Sequence, residues 1–521
     1  MDHQKERPGR ERPVSRRRLV RAGLPLLVGA LVSAACSVGR FLPGAAPAPS
    51  PTPTAQPAPR QTPVPPRPQP SPTPTGPRTR LPPFLDNGLI RIGVDLARGG
   101  SISYLADTRD SANIVNIHDL GRYIGPSFYA GPQPFGEAHP DWRGWPWNPV
   151  SAGDVYGNPA EVLEYHNDGT TLYVKSAPLQ WALRRVAGEC TFETWITLDG
   201  RAARVRHRLT NQRPEHPQYA AMDQELPAVY TVARLHRLVT YTGSAPFTGA
   251  PTTEIPKQPS PNGELKWSRF YATEHWAALV DDSGWGLGVV HPGVYQFWGG
   301  FHGQPGAGRP QDDATGYIAP VRREVLDHDI EYEYSYALIL DTVQNIRRWA
   351  YAHRPPPGLP DYRFERDRQH WWYVNAEDGG YPIEGMLRVK LHRDDPQMIG
   401  PDVLWEAGRV PRLYIRAAFH TRSNLAEIFW KTWDSPFFSA DKRVTFRVVN
   451  DGQFRTYAVD LSRVPAYHGL ITGLRFDPVE TGRPWEYMEL VAISADPTSL
   501  MPHICLSSTA RPAGHYPCLI R

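Results

Sequence analysis

The chain has 521 residues, enough for two or three domains and an ample core, with 16 Trp, 24 Tyr and 17 Phe against only 40% hydrophobic residues. Its formal charge of +4 is unevenly placed. Residues 1–35 hold eight Arg and Lys against three acids, a net of +5, which leaves −1 on the remainder. A nearly neutral body gives no electrostatic case for nucleic-acid binding, so that class is set aside.

The N-terminal segment "SRRRLVRAGLPLLVGALVSAAC" has a basic region, a short apolar run from Ala22 to about Val32, and small residues before Cys36. This is signal-peptide anatomy, and the run is too short for an ordinary transmembrane span. Ser15 to Arg21 resembles a twin-arginine export signal, and Ser33-Ala34-Ala35-Cys36 resembles a bacterial lipobox whose cysteine is lipidated after cleavage. Ser33 departs from the larger apolar residue usual there, and the alternative is a plain secretory signal cut before Cys36. Both readings place the protein outside the cytoplasm, and lipidation would hold it at the outer face of the cytoplasmic membrane or the cell surface.

Residues 36–83 read as a linker, with 17 prolines among the 43 residues from Phe41 to Pro83. Such a segment cannot bury a core and favours polyproline II, at about 3.1 Å per residue. A lipid followed by a stiff spacer makes a tether. Cys505 and Cys518 close a short C-terminal loop and are candidates for a disulfide in an oxidising compartment, while Cys190 sits in a strand pattern as a buried thiol.

From Leu89 to Asp341 strand signals dominate. "LIRIGVDL", "TLYVKSA", "TFETWITLDGRAARVRHRLTN", "HWAALV", "GLGVVH" and "YEYSYALIL" alternate or run apolar, rich in β-branched and aromatic residues. Asp199-Gly200 marks a hairpin between two of them. The clearest helical pattern is Asp341 to Arg354, with Asp341 as its cap and Pro355 as its stop. Residues 355–362 form a Pro-rich linker, and a second run of strands fills 363–495, the size of one antiparallel β-sandwich, before a tail at 496–521. The predicted fold is all-β: a large two-sheet supersandwich over 84–354, then a smaller jelly-roll-like sandwich.

Two family resemblances accompany this pattern. "NGLIRIGVDLARGGSISYLAD", "ETWITLDGRAARVRHRLTN" and "EHWAALVDDSGWGLGVVHPG" resemble the β-supersandwich shared by galactose mutarotase and several carbohydrate-active families, over residues 85–350. No stretch matches the mutarotase catalytic His and Glu residue by residue, so no role is carried over. "FRTYAVDLSRVPAYHGLITGLRFDPVETG" resembles the close of a carbohydrate-binding-like sandwich appended to secreted glycan enzymes, over 363–495. The acidic strand usual after it is altered here to "WEYMEL". Fold likeness is an associational warrant for function only.

Candidate chemistry comes from four stretches. In "YATEHWAALVDDSGWGLGVVHPG" a turn centred on Asp282-Ser283 would set Glu274 opposite His291, with Trp276 and Trp285 flooring the same face: either an acid–base pair or a surface ion pair at a strand end. In "MDQELP" Asp223 and Glu225 share a face of any strand, and glycoside hydrolysis needs two carboxyls roughly 5–9 Å apart; Glu225 with Glu274 or Glu254 is an equal choice. Trp142, Trp145 and Trp147 crowd a Gly- and Pro-rich loop, either as indoles for stacking on sugar rings or as a self-packed plug, with Asp141, Arg143 and Asn148 beside them. Trp298 and His302 follow on a glycine-rich loop, and Trp371-Trp372 open the second domain with one ring in the core and one at most a platform.

No CxxC pair, HExxH or phosphate-cradle spacing occurs, so no cofactor is implied, although scattered oxygens of a sandwich domain leave room for a structural calcium. The sequence therefore predicts an exported, monomeric, carbohydrate-active protein acting on a poly- or oligosaccharide. Hydrolysis by paired carboxylates comes first, with lyase or epimerase chemistry behind it. The alternatives are a non-catalytic glycan-binding or cell-wall-associated lipoprotein and, more weakly, a structural protein with no glycan.

Overall fold

The computed structural model describes residues 81–257, 267–356 and 358–500. The export signal, Cys36, the proline tether, Cys505 and Cys518 lie outside the described residues.

Phe84–Asp86, Ile90–Asp95 and Ser101–Asp107 open the fold as a three-stranded meander. Two large antiparallel sheets then face each other. One has nine strands, in the order Thr253–Ile255, Arg237–Thr240, Trp276–Val280, Trp285–Val290, Glu331–Thr342, Ala202–Asn211, Cys190–Asp199, Thr171–Ala177 and Glu161–Asn167. The other has seven, in the order Ser268–Tyr271, Gln296–His302, Thr315–Glu324, Met222–Val232, Gly125–Ser127, Pro149–Val150 and Leu179–Gln180. Because strand side chains alternate, Ile196, Val205, Leu287 and Leu338 of the first sheet meet Val229, Phe297 and Ile318 of the second in one continuous core. This is the large two-sheet sandwich expected. Cys190 is buried and unbridged in it, and burial pushes its thiol pKa up.

The helix Val343–Ala352 lies on the outer face of the nine-stranded sheet, burying Ile346 and Ala350 against Trp276, Ala278, Val290 and Ile339. A side chain at Gly288 would begin 2.3 Å from Ile346, so the close seat of the helix requires glycine there. Thr342 caps it, its hydroxyl accepting from the Asn345 N–H, whereas Asp341, the expected cap, accepts instead from the Thr342 N–H and the Asn345 amide. Asp199 and Ala202 pair across the predicted hairpin, with Gly200 at φ 57°.

A second core lies between two smaller antiparallel sheets in the C-terminal half. Tyr487–Ser494 and Arg412–His420 are central to one, Leu470–Asp477 and Leu425–Thr432 to the other. Trp371, Trp430, Phe419 and Phe476 fill the space between them. The two sandwiches are joined through a buried ion cluster. Arg368, from the second, donates to Asp327 of the first at 2.6 Å and to Asp378 at 2.5 and 2.8 Å, and all three side chains are at most 4% exposed. Breaking such a cluster by removing one partner is costly, since it strands a buried charge.

Candidate functional site

The hairpin that joins Trp276–Val280 to Trp285–Val290 has a different register from the one its sequence suggests. Asp281 closes the turn by accepting from the Gly284 N–H at 3.0 Å, and Gly284 takes φ 79°. That three-residue loop adds one position relative to a two-residue turn. Trp276 therefore faces Val290 and Ala278 faces Gly288, one residue away from the expected pairing. A slip of one residue turns side chains to opposite faces. Trp276 packs under the helix while Trp285 joins the inter-sheet core, so they floor no common surface.

Glu274 and His291 are likewise separated. His275 takes φ 64°, which ends the strand and turns Glu274 toward the helix. There its carboxylate, 1% exposed, accepts from Arg347 at 2.8 Å through both oxygens, from the Tyr351 hydroxyl at 2.6 Å, from the Trp276 indole at 3.0 Å and from the Phe247 N–H at 2.9 Å. Burial alone would raise its pKa, but these donors outweigh it and hold the carboxyl below the usual glutamate range. His291 stacks on Tyr334 at 5.9 Å on the inner side, and burial, with Arg322 nearby, keeps its imidazole well below its ordinary pKa. Glu274 is a strut that ties the helix to the sheet. Glu254 is also remote, paired with Arg237 at 2.7 Å on the nine-stranded sheet.

The outer face of the seven-stranded sheet is where carboxylates and aromatic rings converge. Glu225 lies opposite Val321 on one neighbouring strand and Ser127 on the other. Two residues back, Asp223 lies opposite Arg323 and forms an ion pair with it at 3.1 Å. Both carboxylates face away from the core, with Cα atoms about 6.8 Å apart by strand geometry. Glu225 is 9% exposed; the Tyr129 hydroxyl donates to one oxygen at 3.1 Å and the Tyr317 hydroxyl to the other. Burial pushes the Glu225 carboxyl up, against the opposing pull of those hydroxyls, so it keeps its proton to higher pH than a solvated glutamate.

Aromatic rings surround this acid. Tyr230 lies 4.8 Å and Trp267 4.7 Å from the Tyr317 ring, and Tyr129 meets Trp145 edge-on at 6.1 Å. Trp298 stands on the same face, with Arg269 over its ring at 4.6 Å. It lies within the strand Gln296–His302 and not on a loop: Gly299 and Gly300 continue the strand, and a Cβ on Gly299 would begin 2.8 Å from the Tyr317 carbonyl. His302 ends that strand beside Asp313 at 3.5 Å, well along from Glu225.

The tryptophan loop divides. Trp147 is 0% exposed in the inter-sheet core, its indole donating to the Gly188 carbonyl at 3.1 Å, so it offers no sugar platform. Trp142 and Trp145 are half-buried and pack edge-to-face at 4.6 Å. Asn148 is buried, accepting from the Trp145 indole at 3.0 Å and donating to the Ser127 hydroxyl at 3.2 Å, so it positions the loop. Asp141 and Arg143 are exposed.

The second sandwich brings a further carboxyl. Asp402 lines the same cleft as Gln296, which with Tyr271 lies in one row with Val321 and Glu225 across the sheet. At about 4.8 Å per strand, Gln296 is roughly 10 Å from Glu225. Burial raises the Asp402 pKa. A cleft of about 110 Å³ opens there between the sandwiches, lined by Asp223, Arg323, Trp372, Asp402 and Lys431. Trp372 is half-buried under Arg323 at 4.9 Å, while Trp371 is core. Asp402, Tyr129, Tyr317 and Trp267 are absent from the sequence-based candidates. Tyr129 and Tyr317 sit in apolar runs that read as core, and Asp402 lies far along the chain in an unpatterned loop.

No protein-family model and no curated protein matches the chain. Similar solved structures include a galactose mutarotase-like protein from Lactobacillus casei, at 10% identity over 49% of this chain and 99% of its own, with a TM-score of 0.33. A galactose mutarotase related enzyme from Lactobacillus acidophilus matches at 10% over 49% and 96%, TM-score 0.34. A galactose mutarotase-like protein from Clostridium acetobutylicum matches at 8% over 50% and 95%, TM-score 0.32. Likeness at this level carries no argument about chemistry, which rests on the residues above.

Proposed function

We propose that this protein is an extracytoplasmic glycan hydrolase whose site is the outer face of the seven-stranded sheet. The observation that carries the reading is Glu225: a buried carboxyl with a raised pKa, flanked by aromatic rings, with a second carboxylate two residues away on the same face. An acid that holds its proton to higher pH than a solvated glutamate suits protonation of a departing glycosidic oxygen. Asp223, ion-paired with Arg323 at 3.1 Å, supports the complementary role on the water or the anomeric carbon. Trp298, Trp267 and Tyr230 offer flat faces for pyranose rings. The basic N-terminus, Cys36 and the proline segment support export and a lipid tether at the outer face of the cytoplasmic membrane or the cell surface.

A second reading, non-catalytic glycan binding, is favoured by one specific feature: both Glu225 oxygens already accept tyrosine hydroxyls. The test is mass spectrometry of soluble products after incubating the full chain with bacterial and plant polysaccharides. Defined oligosaccharides that vanish with Glu225→Gln support hydrolysis. Retention on one glycan without any product moves the assignment to binding.

A further inference from the structure

The outer face of the nine-stranded sheet carries a groove that the hydrolytic reading does not use. It encloses about 600 Å³ beside the helix Val343–Ala352 and is lined by Trp195, Trp349, Arg204, Arg206, Arg354 and His353, among others, with no Asp or Glu in its wall. The alternation Arg204-x-Arg206-x-Arg208 puts three guanidinium groups in one row on the solvent side of their strand, while Val205, His207 and Leu209 fill the inside.

These arginines are held by aromatic rings. Arg206 lies 3.8 Å and Arg208 5.4 Å over Trp195, and Arg204 lies 5.4 Å over Trp349. Trp349 is itself stacked on His353 at 3.8 Å. Stacking fixes the plane of a guanidinium and so lowers the entropy cost of presenting its N–H edge to a ligand. Arg204 bonds Asp199 at 2.6 Å and Arg206 bonds Glu333 at 3.1 Å. With five N–H donors each, both keep donors free after those bonds. Arg354 has no carboxylate within ion-pair distance among the described residues. Thr197 and Ser335 add hydroxyls to the same wall.

We infer that this groove binds an acidic polysaccharide, the arginines taking the sugar carboxylates and the Thr197 and Ser335 hydroxyls taking sugar hydroxyl groups, with the indoles holding the arginines in place. Arg204, Arg206 and Arg354 face a groove wall that holds no carboxylate, the paired Asp199 and Glu333 lying outside it, and so select an anion; aromatic and hydroxyl-bearing neighbours in a groove of this size select a sugar chain over a simple ion. The site is on the sheet opposite Glu225, and the inference stands independently of hydrolysis.

The test uses the full chain carrying Glu225→Gln, so that the probe stays intact, titrated with an oligogalacturonate and with a maltooligosaccharide of matching length. The oligogalacturonate should bind and the neutral sugar should not, with affinity falling as salt rises. Arg206→Gln and Arg354→Gln, each with an unchanged melting temperature, should each weaken binding about tenfold, the loss of one charge-assisted contact. Arg354→Gln is the safeguard should Arg206→Gln misfold, since Arg354 caps no strand pair. Affinity unchanged in both variants, equal binding of the neutral sugar, no binding at all, or equal binding of an oligonucleotide of the same charge would each overturn the inference.

Discussion

Replacing Glu274 by alanine separates a structural acid from a catalytic one. In the folded protein its carboxylate, almost fully buried, accepts from Arg347, Tyr351, the Trp276 indole and the Phe247 N–H. Alanine strands the Arg347 guanidinium, whose side chain is 14% exposed, without its partner. Loss of one member of a buried pair costs about 3–5 kcal/mol, and the orphaned indole places this case near the middle, about 4 kcal/mol. For a domain of this size roughly 2 °C is lost per kcal/mol, so the melting temperature should fall by roughly 8 °C. Glu274→Gln keeps the shape and one acceptor oxygen and should lose less. The pH dependence follows from the lowered carboxyl pKa. A depressed acid stabilises above its unfolded pKa and ceases to do so as pH falls through its folded value, so the gap between wild type and Glu274→Ala should be full at neutral pH and close in acid below the usual glutamate range. Calorimetry across that range, with product assays at neutral pH, measures both. An unchanged melting temperature with abolished product release would refute the strut and return Glu274 to the reacting groups.

Other outcomes follow from the same structure. Trp147→Ala should cost about 3–5 kcal/mol, as truncation of a fully buried indole does, and should lower expression and melting temperature together. Arg368→Ala leaves Asp327 and Asp378 buried with no counter-charge, so it should cost about 3–5 kcal/mol and expose the seam between the sandwiches to limited proteolysis; intact resistance would contradict that role. His207 is buried between the sheets with its pKa pushed down to about 3 by desolvation. Its neutral form is locked in the fold, so as pH drops from its unfolded pKa of about 6.5 toward 3 it should subtract about 1.4 kcal/mol per pH unit, a slope that His207→Gln removes. Cys190, buried with a raised thiol pKa, should react with a thiol reagent only at the rate of unfolding.

Much of the fold is legible in the chain because alternation is a local property. The strands around "TFETWITLDGRAARVRHRLTN" and the Asp199-Gly200 turn follow from neighbouring residues alone, as does the buried thiol at Cys190. The proline count and the basic N-terminus are likewise written in composition. The register of the Trp276–Val280 hairpin was not legible. One glycine in the left-handed region, Gly284, shifts it by a residue, and nothing in "DDSGW" tells a two-residue turn from a three-residue one.

The sequence alone determined an all-β chain with paired carboxylates and clustered indoles; the tertiary structure decided which of them meet. Asp223 and Glu225 share a face because strand geometry is local. Only packing put Tyr129, just past the strand Gly125–Ser127, and Tyr317 of a distant strand on Glu225, sank Trp147 in the core and sent Glu274 to the helix. Asp402 reaches the same sheet from the second sandwich, some 180 positions along the chain from Glu225. Such convergence is a property of how sheets stack, and periodicity along one strand carries no information about it.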